Sequence, residues 1–258
     1  MKNWKALALH YGTAARPRAD LSLEAIDHHD VIGQIDYFVW IIRRADRLVL
    51  IDTGFSKEEG EARGRTMIVD PVEALRLLGI EAADITDVVI THLHYDHAGN
   101  LNAFPNAVFH LQEKEMIYGT GRCMCHPRMR RPFAAEAVVD AVRLVFAGKV
   151  QFHRGDVELE PGLSLHLIGG HSKGLQVVRL EDEGHVHVFA SDALHFASYM
   201  QESDMFPLFA DYAEVLDGYS TLKRLAGRQG RIIPGHDPLM LAELPVLDEH
   251  YHFARFIC

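Results

Sequence analysis

The stretch His92-Leu93-His94-Tyr95-Asp96-His97 follows directly on Val88-Val89-Ile90-Thr91. The apolar run is too short for a helix and too apolar for a surface loop, which places the six residues where a buried strand ends. Gly99 and Asn100 just beyond them mark a turn or a helix start. Four of the six side chains carry an imidazole or a carboxylate, the donors that Zn²⁺ and similar borderline cations take. In an extended chain His92, His94 and Asp96 share one face, and His97 joins them only if the backbone turns. That alternation predicts His92 and His94 on one metal ion, Asp96 and His97 on a second. With 17 histidines in 258 residues, an isolated His-x-His pair would carry little weight. Four donors in six positions behind an apolar strand carry far more.

Outward from this stretch, apolar segments recur at 35–42, 48–52, 107–111, 163–168, 176–180, 185–190 and 231–234, which read as strands. Between them, 71–79 opens on proline and closes on glycine, and 134–146 and 212–225 carry apolar residues at three- and four-residue spacing. The economical reading is an α/β chain with helices packed on sheets. Each half runs from strands into helix, which hints at a duplicated architecture. Three further polar residues stand directly after apolar strands: His171 behind Gly169-Gly170, Asp192 behind Ala190-Ser191, and His236 behind Pro234-Gly235. Singly, each is an ordinary turn residue. Together with residues 92–97 they form an ordered series of seven metal-ligand candidates: His92, His94, Asp96, His97, His171, Asp192 and His236.

The bulk properties bound the function. Residues 1–258 are of a size for one large domain. A hydrophobic content of 48% with 24% charged residues suits a soluble protein that buries a substantial core. The formal net charge of −10 argues against a nucleic-acid partner. No apolar stretch approaches the ~20 residues that span a bilayer, so no membrane partner is expected. The N-terminal run Met1 to Leu9 is short and meets His10, Tyr11 and Arg16, a poor signal peptide. Three cysteines, two of them as Cys123-Met124-Cys125, give no disulfide framework, and a cytoplasmic location is the default expectation.

The chain resembles the metallo-β-lactamase superfamily. The resemblance rests on Asp52-Thr53-Gly54, Thr91 through Asn100, Gly170-His171-Ser172, Ser191-Asp192 and Pro234-Gly235-His236-Asp237. It implies a four-layer αββα fold with a two-metal site at the sheet edges. By position it implies His92, His94 and His171 on metal one, Asp96, His97 and His236 on metal two, and Asp192 bridging, with two divalent ions, zinc above all. Asp52 resembles the family aspartate that orients a ligand imidazole. Gaps of 21 residues from His171 to Asp192 and 44 from Asp192 to His236 resemble those of the quorum-quenching N-acyl homoserine lactone lactonases. So does the segment ahead of the first strands. Two positions depart from that branch: lactonases carry tyrosine three residues after the bridging aspartate, where this chain has His195, and a His-Thr-Pro-Gly-His loop where it has His171-Ser172-Lys173-Gly174-Leu175.

The resemblance implies a hydrolase that opens a lactone ring, its substrate an acyl homoserine lactone or a carboxylated or aromatic lactone. A metal-bridging hydroxide would attack the carbonyl. Asp96 would carry a proton to the leaving alkoxide. His195, at the tyrosine position, would donate to the oxyanion or act as general acid. Between Leu111 and Gln151 lies a long insertion, expected to form a lid around 112–150. It holds Arg122, His126, Arg128, Arg130 and Arg131, a basic patch able to select an acidic substrate. Phe196, Tyr199, Met200, Met205 and Phe206 are candidates for the pocket lining. Lactone substrate, homodimer and no nucleic acid complete the expected partners. A glyoxalase II-like thioesterase would use the same ligands, and a mononuclear iron sulfur oxygenase would keep only the first set. An RNase Z-like nuclease is disfavoured by the acidic balance.

Overall fold

The computed structural model describes residues 3–24, 33–45 and 47–258; Met1 and Lys2 of the N-terminal run lie outside them. Thirteen strands are present among the described residues: β1 Lys5–Arg16, β2 Gly33–Arg44, β3 Arg47–Ile51, β4 Thr66–Met67, β5 Asp87–Val89, β6 Val108–Gln112, β7 Val150–His153, β8 Val157–Glu160, β9 Leu163–Leu167, β10 Gln176–Asp182, β11 His185–Ser191, β12 Arg231–Pro234 and β13 Ala254–Phe256. The helices are α1 Lys57–Ala62, α2 Pro71–Leu77, α3 Glu113–Thr120, α4 Pro127–Arg130, α5 Ala135–Phe146, α6 Tyr199–Glu202, α7 Tyr212–Ala226 and α8 Leu239–Glu243.

The strands form two sheets. One runs β13-β1-β2-β3-β5-β6-β7 with β4 paired to β1, the other β12-β11-β10-β9-β8. Within the first, β1, β2 and β3 pair antiparallel, and β3, β5, β6 and β7 pair parallel. Parallel pairing puts the chain ends of β3, β5 and β6 on one edge, which is where the loops that follow them gather.

Three apolar clusters separate four layers. Between the sheets, Trp4, Phe38, Trp40, Ile42, Val49 and Val89 meet Leu163, Leu165, Val178, Leu180, Phe189 and Ile233. Outside the first sheet, Leu9, Tyr11, Val39, Leu50 and Val88 pack with Ala74 and Leu75 of α2 and with Ala137, Ala141 and Leu144 of α5. Outside the second sheet, Val177, Val188 and Ala190 pack with Val215, Tyr219 and Leu222 of α7. The architecture is therefore the αββα sandwich, one sheet and its helices from each half, with β13 returning to the first sheet.

The expected strands all form, with ends displaced by at most two residues. The twelve-residue β1 is the main addition. Its Ala6 and Ala8 enter the inter-sheet core while Leu9 and Tyr11 enter the outer one. A strand buried on both faces shows no polar alternation, so its residues read as a failed leader instead. The segment ahead of the first expected strand is itself a central strand.

Within 112–150, α5 is part of the outer helical layer, and α3 buries Glu115 beneath the loop of residues 92–97. Residues 121–133 remain above the site. They are pinned there by Tyr95 N–H to Pro132 O at 2.9 Å and by an isolated bridge between His94 and Phe133.

Candidate metal centre and its pocket

The seven candidates arrive from four turns, those after β5, β9, β11 and β12, and the structure brings all of them together. One ligand atom each from His92, His94, His171 and Asp192 lies within 4.8 Å of the others, and the same holds for Asp96, His97 and His236. Asp192 stands between the two groups: Oδ2 is 3.1 Å from His171 Nε2, while Oδ1 is 2.9 Å from His236 Nε2 and 3.2 Å from His97 Nε2. All seven are buried.

Glycine makes two of these turns. Gly170 has φ +78°, and a Cβ there would come within 2.7 Å of the Val215 amide. A Cβ on Gly235 would stand 2.6 Å from the Ser191 carbonyl, so the turns carrying Asp192 and His236 touch only because residue 235 has no side chain. Asp52 adopts φ +61°, a left-handed conformation that aspartate tolerates better than most residues.

That strained position is put to use. The Asp52 carboxylate accepts from Thr91 N–H, Thr91 Oγ1 and His97 Nδ1, each at 2.8 Å. It ties the turn after β3 to the turn after β5 and leaves His97 Nε2 pointing inward. His236 Nδ1 donates to the Asp36 carbonyl at 2.7 Å and turns its Nε2 inward in the same way. Glu115, which no local motif marks, accepts from Leu93 N–H at 2.9 Å, Gly174 N–H at 2.9 Å and Ser172 Oγ at 2.5 Å. It joins the His92–His97 loop to the His171 loop. Only a three-dimensional view exposes it, because in sequence it is one glutamate on an unremarkable helix.

The donor set fits metal ions. His94 Nδ1 has His92 Nε2 at 2.9 Å and His171 Nε2 at 3.0 Å, three ring nitrogens converging on one point. Burial, with the neighbouring imidazoles, holds His92 and His94 well below their ordinary pKa, so they are the neutral bases that ligation requires. Burial works against charge at His97 and Asp192 as well, but opposite charges prevail. Asp192, Asp96 and Asp52 raise His97, and His195, His236, His97 and His171 lower Asp192. His97 Nε2, fully buried, has no hydrogen-bond partner among the described residues. An orphaned nitrogen aimed at two carboxylates, in a nest of imidazoles, suits a borderline cation.

His195 also reaches the centre. Its Nε2 is 3.1 Å from Asp192 Oδ2, and its ring stacks on Phe206 at 4.3 Å and 6°. Burial pushes it down to about 3, so the ring is neutral and its one N–H is directed at Asp192 when Nε2 carries it. Donation from this ring to an oxyanion requires the proton on Nδ1.

A cavity of about 500 Å³ opens over the centre. Its walls include His94, Asp96, His171, Asp192, His195 and His236 on the floor, with Tyr37, Tyr95, Arg16, Arg63, Arg65 and Arg131 at the side. Of the aromatic and methionine candidates, Phe206 alone lines it, whereas Tyr199 and Met205 are core residues of the second sheet's outer cluster. Of the insertion's basic residues, Arg131 lines this cavity and Arg128 a smaller adjoining one. Arg130 is turned to the carbonyls of Met124 and Cys125. Three of the four arginines of the wall come from β1 and from the segment between α1 and β4, and only Arg131 comes from the insertion.

A two-sheet sandwich with imidazoles and carboxylates gathered at the strand ends defines a metal-site hydrolase scaffold. The family model of the metallo-beta-lactamase superfamily matches residues 33–236, and the chain belongs to that superfamily. Among curated proteins it is similar to the N-acyl homoserine lactonase AttM of Azorhizobium caulinodans, 28% identical over 176 residues. That match covers 65% of this chain and 64% of the relative, so the chain spans somewhat under two thirds of that protein's length. Among solved structures it is similar to an N-acyl homoserine lactone hydrolase with the product N-hexanoyl-L-homoserine bound at its catalytic metal centre. The TM-score is 0.79 at 20% identity, covering 96% of this chain and 98% of that one. It is also similar to AidC, a dizinc quorum-quenching lactonase, with a TM-score of 0.74 at 19% identity over 91% and 88% of the two chains.

Proposed function

We propose that the protein is a metal-dependent hydrolase that opens lactone rings. The observation that carries this reading is the cluster itself: seven buried donors in two groups that share Asp192, at the floor of a cavity wide enough for a small ring and its substituent. His92, His94 and His171 would hold one ion, Asp96, His97 and His236 a second, with Asp192 between them. Its mixed imidazole and carboxylate donors suit zinc. Two such ions would supply an ionised water near neutral pH and a Lewis acid for the carbonyl oxygen.

The chain's own residues do the rest. Asp52 and the Asp36 carbonyl fix His97 and His236 in the tautomer that presents Nε2 to the centre. Asp96 lines the cavity and stands 3.7 Å from His97 Nε2. Its carboxylate would take the proton that the attacking hydroxyl gives up on adding to the carbonyl and pass it to the alkoxide released from the ring. His195 orients Asp192 and closes the cavity wall with Phe206. Arg131 and Pro132 line the cavity, and residues 121–133 are the portion of the insertion that would act as a lid. The likeness to lactonases in both sequence and fold supports this substrate class over a thioester.

A pH-indicator assay on metal-loaded protein tests the reading. Simple γ-lactones and N-acyl homoserine lactones are expected to release acid, with S-lactoylglutathione left intact. Turnover of the thioester with every lactone untouched would overturn it.

A further inference from the structure

The wall above the metal site carries more positive charge than its neighbours balance. Arg63 is fully engaged: Nε pairs with Glu59 at 2.5 Å, and its other two nitrogens reach the carbonyls of Arg131 and Phe133. Arg16 and Arg65 are not. Arg16 Nη2 and Arg65 Nη1 donate to the same oxygen, the Arg63 carbonyl, at 3.0 and 3.1 Å. Two guanidinium groups are thereby held side by side, and among the described residues neither has a carboxylate in ion-pair range. Both are half-buried and both line the cavity.

The surrounding groups show how this pair is aimed. Arg65 Nε donates to Tyr95 Oη at 2.8 Å, and the Tyr95 and Tyr37 hydroxyls are 3.4 Å apart. The Arg65 guanidinium carbon lies 5.8 Å from the Tyr37 ring centre, and that ring sits edge-on to His236, with centroids 5.2 Å apart. One aromatic ring therefore separates the free cations from the metal centre. Like charges held together beside a cavity, with donor edges unspent, form a receptor for an anion. Arg131 adds a third cation at the rim, while Asp20, which lines the same wall, opposes a strongly charged guest. A planar, singly charged group suits the fork geometry and that balance better than a phosphate dianion.

We infer that the substrate carries a carboxylate in addition to its lactone, and that Arg16 and Arg65 seat this carboxylate between Tyr95 and the cavity mouth. The inference rests on the lactonase reading for the identity of the reacting group, but the anion site itself does not depend on it. Arg16 and Arg65 act on specificity and do not touch the reacting carbonyl. The basic run at 122–131 contributes Arg131 only.

The test compares a γ-butyrolactone bearing a ring carboxylate with its carboxamide, a neutral analogue of the same shape. For the wild-type protein kcat/KM for the acid should exceed that for the amide roughly tenfold or more, chiefly through KM, and the gap should shrink as salt rises. Arg65→Met and Arg16→Met should each collapse the ratio, and Arg130→Met, outside the cavity, should leave it in place. A melting curve for each variant separates lost folding from lost recognition, and if one of the two fails to fold the other decides the outcome. Binding of the ring-opened acid is measured by calorimetry in parallel. Equal turnover of acid and amide by the wild-type protein overturns the anion site and leaves the lactonase reading standing. No turnover of either lactone, with the opened acid still bound by wild type and lost in Arg65→Met, supports the anion site and removes the lactonase reading.

Discussion

The floor and the side wall of the cavity are built on different principles. On the floor, every ligand candidate is buried, and the key imidazoles are braced from behind by Asp52 and by the Asp36 carbonyl. The positions come from backbone turns at the ends of β5, β9, β11 and β12. On the wall, Arg16 and Arg65 are half-exposed, reach in from separate segments, and are held by one shared carbonyl and a tyrosine hydroxyl. The floor leaves its geometry no freedom, as reaction chemistry requires. The wall is assembled from long side chains that can be exchanged without disturbing a strand. Within one scaffold, what is done to the substrate and which substrate is taken are thus separable.

The largest effects are expected at the floor. Asp192→Asn removes a charge shared by both ligand groups and should lower lactone turnover at least ~100-fold, with metal content falling in parallel by elemental analysis. Asp52→Asn leaves the ligands in place but loosens His97. It should cost about 10–100-fold in metal affinity and less in turnover once metal is in excess. If Asp52→Asn matched Asp192→Asn at saturating metal, the brace would be part of the reaction and the distinction between the two roles would fail.

Glu115 braces the floor through its contribution to stability. It is fully buried, burial raises its pKa, and its carboxylate satisfies Leu93 N–H, Gly174 N–H and the Ser172 hydroxyl. Glu115→Ala strands these three donors at roughly 1–3 kcal/mol each, so at about 2–4 °C per kcal/mol the melting temperature should fall by at least about 6 °C. Restoration of turnover by added metal, without recovery of the melting temperature, would show that the brace serves the fold more than the ions.

The smallest effect expected lies away from the cavity. Asp87, His110 and His153 form a buried chain across β5, β6 and β7, with His110 at 2.9 Å from Asp87 and 3.1 Å from His153. Burial and then the His110 charge hold His153 below its ordinary value of 6.5. Asp87 is also held low, since its bonds to His110, Thr86 and Arg47 outweigh burial. Both groups bind protons more weakly folded than unfolded, so each contributes stability that is present at neutral pH and lost on acidification. The melting temperature should begin to fall as pH drops below about 6.5, and His153→Gln should flatten the first part of that fall. A wild-type profile that is level from pH 7 to pH 5 would contradict it.

What was legible in the sequence divides along the same line. The ligands stand out because each follows an apolar strand and two follow glycine, and those local rules survive folding. The helices over 71–79, 134–146 and 212–225 were legible for the same reason, since their periodicity records the face they bury. Strand β1 was not, because burial on both faces erases alternation. The arginine wall was not either. Arg16 and Arg65 are 49 residues apart and meet only at the Arg63 carbonyl, whereas the basic cluster that is conspicuous in sequence sends only Arg131 into the cavity. Proximity in sequence misled there because a loop's charges face wherever its backbone points them.

Metal titration of the stripped protein shows whether turnover depends on two ions. Zinc is added stepwise, bound metal is counted, and γ-lactone opening is followed at each step. Two ions per chain should bind, with turnover appearing as the second site fills. Full activity at one ion per chain, or undiminished turnover with none, would contradict the account.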